Sequence, residues 1–165
     1  MTENDYQTLA ILEQAFQEKN LSHFTALLAS SKNLPLLLRV HAVCMLEHIG
    51  DESVVETLCR VLEDDPSPLT RHESAFTLGQ LGYKSAVPAL INAMLNDESP
   101  IVRHESAVAL SSIGDDAALP QLEKAIGDKD EDVSNSALIA FEYLSYLRRR
   151  RGTTPEEASK PKIRL

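Results

Sequence analysis

Four side chains in this sequence join ligand chemistry to regular spacing: His72 and Glu73, then His104 and Glu105, 32 residues further on. Imidazole nitrogens and carboxylate oxygens with no thiolate suit an octahedral, partly open centre. They favour non-haem iron or manganese over structural zinc. Dinuclear carboxylate centres are assembled from such Glu-plus-His sets carried on helices. Two of each are few ligands for two metals. A second copy across a two-fold axis would double the set, and isologous dimers are the commonest assembly. A plainer reading stays open beside this one. An exposed helical His-Glu can be a solvated face, with Glu73 or Glu105 paired to Arg71 or Arg103.

The elements that hold these residues are written into the same stretch. Each pair closes a heptapeptide, Ser67-Pro-Leu-Thr-Arg-His-Glu73 and Ser99-Pro-Ile-Val-Arg-His-Glu105, that runs on to Gly82 or Gly114. A period of this size marks stacked helical units. Ser67 and Ser99 are expected N-caps with Pro68 and Pro100 at the first helical position. The two pairs then lie in the second turn of successive helices, at equal height. Neighbouring helical residues point about 100° apart, so each His and Glu flank one surface stripe. Thr77 and Gln80, Ala109 and Ser112 are expected on that stripe, leaving room for a ligand. Packed helices lie about 8–10 Å apart, which lets the two imidazoles reach toward a shared metal. The first unit has Val40-His41 and the fourth Asn135-Ser136 at the place of the pair, while Arg39 persists. The pair is therefore not a requirement of the repeating unit.

Glycines punctuate the rest. Gly50, Gly82 and Gly114 suit left-handed C-caps of the first helix of each unit. Second helices follow over Val54–Leu62, Ala86–Leu95 and Ala117–Ile126, with Leu58, Leu90 and Leu122 at matching core positions. The expected fold is all-α: a HEAT-like (PBS-lyase-type) solenoid, a right-handed superhelix of paired antiparallel helices. Residues 1–33 read as capping helices marked by Tyr6, Leu9, Leu12 and Phe16. Residues 34–147 read as repeats (34–65, 66–97, 98–129, 130–147). Residues 148–165 read as a basic tail, disordered from Gly152.

Composition bounds the rest of the function. The chain of 165 residues carries a net charge of −9, yet seven basic residues against two acidic ones after residue 147 leave the preceding part at −14. An acidic body disfavours nucleic acid and suits a basic partner. Nothing approaches the ~20 apolar residues of a membrane span, and no signal-peptide pattern opens the chain. Cys44 and Cys59 are too isolated for a disulfide framework. A cytoplasmic protein is expected. His23, His41 and His48 stand singly and read as satisfied or surface histidines, and Arg148–Arg151 as a solvated run complementing a helix C-terminus.

The stretch from Arg71-His-Glu-Ser-Ala-Phe-Thr-Leu-Gly to Val102-Arg-His-Glu-Ser-Ala-Val-Ala-Leu-Ser-Ser-Ile-Gly114, and more loosely residues 34–147, resembles the N-terminal half of the deoxyhypusine hydroxylase family. That resemblance implies a HEAT-repeat di-iron monooxygenase whose two halves each supply two His-Glu pairs. It implies iron ligation by His72, Glu73, His104 and Glu105, with open positions for O2, and a lysine-bearing protein substrate. One half is present here, so a homodimer would complete the centre. A non-catalytic scaffold that binds a protein partner is the alternative. The HEAT-like bilin lyases share the short repeat, without a particular motif matched here.

Overall fold

The computed structural model describes residues 2–29 and 34–151. Nine helices follow one another among them: α1 (Glu3–Gln17), α2 (Leu21–Ala29), α3 (Leu36–Ile49), α4 (Val55–Asp64), α5 (Pro68–Leu81), α6 (Val87–Asn96), α7 (Pro100–Ile113), α8 (Leu119–Ala125) and α9 (Glu131–Arg151). No strand occurs among the described residues. The expected all-α repeat stack is what forms.

The first helices of successive units build one layer, α3 on α5 on α7 on α9, while α4, α6 and α8 form the other. Gly50, Gly82 and Gly114 end α3, α5 and α7 in the left-handed conformation, with φ of 74°, 73° and 74°. An L side chain there would be strained, which is why glycine recurs at each turn. Each second helix begins with a 3-10 turn (Glu52–Val54, Lys84–Ala86, Asp116–Ala118), so its α-helical part starts one or two residues later than the periodicity suggests.

Leu58, Leu90 and Leu122 are fully buried, and the core runs unbroken from Leu12 and Phe24 to Leu144. Tyr6, by contrast, lies largely in solvent on α1. The stack is tight at Gly79, where an added Cβ would sit 2.8 Å from the Ala109 Cα. That glycine lets α5 and α7 pack backbone to backbone.

A ladder of buried ion pairs ties each first helix to the link that follows the next helix. Arg39 Nε lies 2.9 Å from Asp65 Oδ2, Arg71 Nε 2.8 Å from Asp97 Oδ2, and Arg103 Nε 2.8 Å from Asp128 Oδ2. Arg71 Nη1 and Arg103 Nη1 also donate to the carbonyl oxygens of Asp65 and Asp97, both at 2.9 Å. The same aspartates do a second job. The backbone N–H of Ser67 donates to Asp65 Oδ1, and that of Ser99 to Asp97 Oδ1, each at 2.8 Å. Ser67 and Ser99 occupy the N-cap positions, but their hydroxyls make no capping bond.

At the far end α9 extends through Arg148–Arg151, so the start of the expected basic tail is helical. Arg151 pairs with Asp116, and Arg150 lies over the Tyr146 ring. The expectation of disorder from Gly152 falls outside the described residues, as do Met1 and residues 30–33 of the capping segment.

Candidate metal centre

The repeat places the four candidate ligands on one face of the first-helix layer. In α5, His72 and Glu73 are half-buried; in α7, His104 is half-buried and Glu105 buried. Their positions follow from helix geometry. Ala75 and Leu78 point into the core, and His72, three and six residues before them, is turned about 60° and 120° away from them around the helix, at the margin of the buried face.

The pairing is diagonal. His72 Nε2 lies 3.4 Å from Glu105 Oε2, across the α5–α7 seam. His104 Nδ1 lies 2.7 Å from Ser136 Oγ, across the α7–α9 seam. Each histidine therefore faces the helix ahead, and the residue after it faces the helix behind. The expectation that the two imidazoles reach toward each other is corrected: His72 meets the carboxylate of the next unit, and His104 meets the hydroxyl that stands at the glutamate's place in α9. Glu73 follows the same rule. Val40 offers no polar atom at the histidine's place in α3, and Glu73 accepts instead from Cys44 Sγ, one turn on, at 3.4 Å.

The arginines are engaged elsewhere. Arg71 and Arg103 are spent on Asp97 and Asp128, so neither Glu73 nor Glu105 is the partner of its preceding arginine. The plainer reading of the glutamates as intra-helical ion pairs is thereby removed.

The stripe between His and Glu is also different in kind from the expected one. Thr77 and Ala109 are buried in the stack. The stripe consists of Leu69, Phe76 and Gln80 on α5, and Ile101, Val108 and Ser112 on α7. Residues three before and four after each histidine lie between its own direction and that of the following glutamate. The surface bordering the pairs is thus chiefly apolar, not polar.

As a receptor for metal the donor set fits in part. Among the buried polar atoms, His72 Nδ1 has no hydrogen-bond partner, and the imidazole–carboxylate couple His72/Glu105 is already in contact. Among the described residues, however, no three His, Cys, Asp or Glu side chains gather closely enough to hold an ion. The described residues offer donors in pairs.

Apart from the Cys44 thiol on Glu73, the other singled-out histidines and cysteines make contacts elsewhere. His48 Nδ1 bonds to the Cys44 carbonyl oxygen at 2.9 Å and sets its ring edge against Phe16. His41 Nε2 is buried without a partner. Cys44 and Cys59 are free thiols, and both are pushed up to about 11, chiefly by burial. Neither is a thiolate near neutral pH. No helix among the described residues is long and apolar enough to cross a membrane.

Comparison with known proteins gives these features a context. Deoxyhypusine hydroxylase of Dictyostelium discoideum is 50% identical over 48 residues, which are 29% of this chain and 15% of that protein. The enzyme of Cryptococcus neoformans var. neoformans is 44% identical over 54 residues, 33% of this chain and 15% of its own length. The solved human deoxyhypusine hydroxylase, in complex with glycerol, superposes with a TM-score of 0.73 at 28% identity, covering 87% of this chain and 49% of that one. The chain thus spans about half the length of the human enzyme, and the resemblance seen in the sequence holds in the fold. A family model described as HEAT repeats matches residues 55–142. With more than half of its length inside that match and its helices stacked in register, this chain belongs to the HEAT-repeat family.

Proposed function

We propose that the chain is half of a non-haem di-iron centre of the hydroxylase type, completed by a second copy of itself. The observation that carries this reading is the diagonal couple His72/Glu105, flanked by Glu73 and His104 on the same face. Its donors are those that iron takes in carboxylate-bridged sites. Similarity to deoxyhypusine hydroxylase over 87% of the chain supports the chemical class.

In this role His72 and His104 would anchor one metal each, and Glu73 and Glu105 would complete or bridge the pair. Bound iron would supply the activation of O2 that hydroxylation needs. The chain's own residues hold and orient. Ser136 fixes the rotation of the His104 ring through Nδ1, and the Cys44 thiol donates to Glu73. Burial of Glu105 keeps its carboxylate turned toward His72. The acidic body would draw a basic, lysine-bearing protein toward the site.

Metal analysis of protein expressed with iron tests the reading directly. The expected result is about two irons per pair of chains, lost in His72→Ala/His104→Ala. Iron-free wild-type protein, or iron retained by that double variant, would overturn it. The second reading, a protein-binding scaffold without chemistry, is favoured by the exposed apolar stripe. It predicts unchanged function in cells after the same double substitution.

A further inference from the structure

Large apolar side chains left in solvent are unevenly distributed over this molecule. None of those recorded among the described residues lies on the second helices α4, α6 or α8. The first-helix layer carries two rows of them. Leu37, Leu69 and Ile101 form one row, at 58%, 46% and 45% exposure; Phe76, Val108 and Ile139 form the other, at 37%, 37% and 70%. The rows run across α3, α5, α7 and α9 in the register of the repeat. They border the four candidate ligands, one row a turn before the histidines and one a turn after.

We propose that this face is the docking surface for a second copy of the chain, packed through the two apolar rows so that the His-Glu pairs of both copies face one space. The proposal rests on the reading of His72, Glu73, His104 and Glu105 as half of a ligand set, and it names the surface that supplies the other half.

Three observations select a second copy as the occupant. The ligand set is open to completion from outside, since among the described residues no three donors converge. The face is self-complementary, because each row repeats the same side-chain character on successive helices, and a two-fold axis between them sets apolar against apolar. Charge points the same way. The first 147 residues carry a net charge of −14, so two copies repel over most of their surface. On α5 and α7 this face carries no formal charge apart from Glu73 and Glu105, and a bound cation would neutralise those two.

The experiment is sedimentation equilibrium of the full chain at tens of micromolar, apo and iron-loaded, beside Leu69→Asp/Ile101→Asp and Phe76→Ser/Val108→Ser. Leu69 and Ile101 are the second residues of α5 and α7, where aspartate is favoured by the helix N-terminus. The first variant is therefore expected to keep its helical circular dichroism and melting midpoint. The wild type is expected to show the mass of two chains. Both variants are expected to show one, with dimer affinity weakened by more than about 100-fold through buried, unpaired carboxylates or lost apolar contact. A monomeric wild type, or variants as dimeric as the wild type, would overturn the proposal. The two readings fail separately. Iron bound by a monomer sinks the docking face and leaves the ligands standing, whereas an iron-free dimer disrupted by these variants supports the face and sinks the ligands.

Discussion

Ser136 Oγ and His104 Nδ1 are hydrogen-bonded at 2.7 Å across the seam between α7 and α9. A histidine held at one ring nitrogen presents the other in a fixed direction, and such supporting bonds commonly raise metal affinity by 10–100-fold. Ser136→Ala is expected to lower iron affinity by about that factor, measured by competition with a chelator. Ser136→Thr, which keeps the hydroxyl, is expected to restore it, and the melting midpoint should stay within about a degree for both. A Thr variant as weak as the Ala variant would point to packing instead.

The Arg103–Asp128 pair is nearly closed to solvent, with side-chain exposures of 5% and 13%. Removing one partner of such a pair strands the other charge, a loss of about 3–5 kcal/mol. Arg103→Met is expected to destabilise the chain by that order in urea titration. A double change with Asp128→Leu is expected to recover much of the loss, since two apolar residues leave no charge unpaired. A single variant within about 0.5 kcal/mol of the wild type would contradict the ladder.

Acid should weaken the same rung. The Arg103 guanidinium beside Asp128 holds its carboxyl below the ordinary carboxylate value. A depressed folded value means that this contribution is complete above the unfolded value near 4 and disappears as pH falls through the folded one. The stability gap between the wild type and Asp128→Asn is therefore expected to be constant from pH 7 to about 5 and to close below about 4. Urea midpoints across that range check it; a gap that widens in acid would refute the sign.

Gly79 tests how tightly the first helices touch. Alanine would gain about 1 kcal/mol of helix propensity, but its Cβ falls 2.8 Å from the Ala109 Cα, which is backbone and cannot swing aside. Overpacking of this kind costs about 1–3 kcal/mol. Gly79→Ala is expected to lower the melting midpoint by several degrees, and Gly79→Val by more. An unchanged or raised midpoint for alanine would show that the seam can open without loss.

Much of the architecture was legible in residue spacing. Gly50, Gly82 and Gly114 announced the left-handed helix ends, and Leu58, Leu90 and Leu122 announced the core of the second helices. Ser67 and Ser99 were legible as positions but not as actors. The aspartates two residues earlier accept from the serine N–H, while the serine hydroxyls accept nothing from the first turn of the helix, an outcome that spacing alone does not decide. The arginine ladder had a signal that was open to reading: Asp65, Asp97 and Asp128 follow Arg39, Arg71 and Arg103 at intervals of 26, 26 and 25 residues.

At the candidate centre the four donors and their shared face could be read from the period, but the partner of each could not. Whether His72 meets His104 or Glu105 depends on how each helix is turned about its own axis, because adjacent residues point about 100° apart. Leu69 and Phe76 were missed, and Thr77 misplaced, for a simpler reason. The first two stand three before and four after His72, so their directions fall within the His–Glu arc, whereas Thr77 turns toward the neighbouring helix and is buried.

The offset by which His72 and His104 look forward to the following unit has a consequence for dissection. A fragment trimmed to the two motif-bearing units would keep all four donors yet strip His104 of its serine and Glu73 of its thiol. The smallest piece that keeps both supporting contacts runs from α3 to α9, so the arrangement of the four donors is a property of four consecutive rungs although the motif is written on only two.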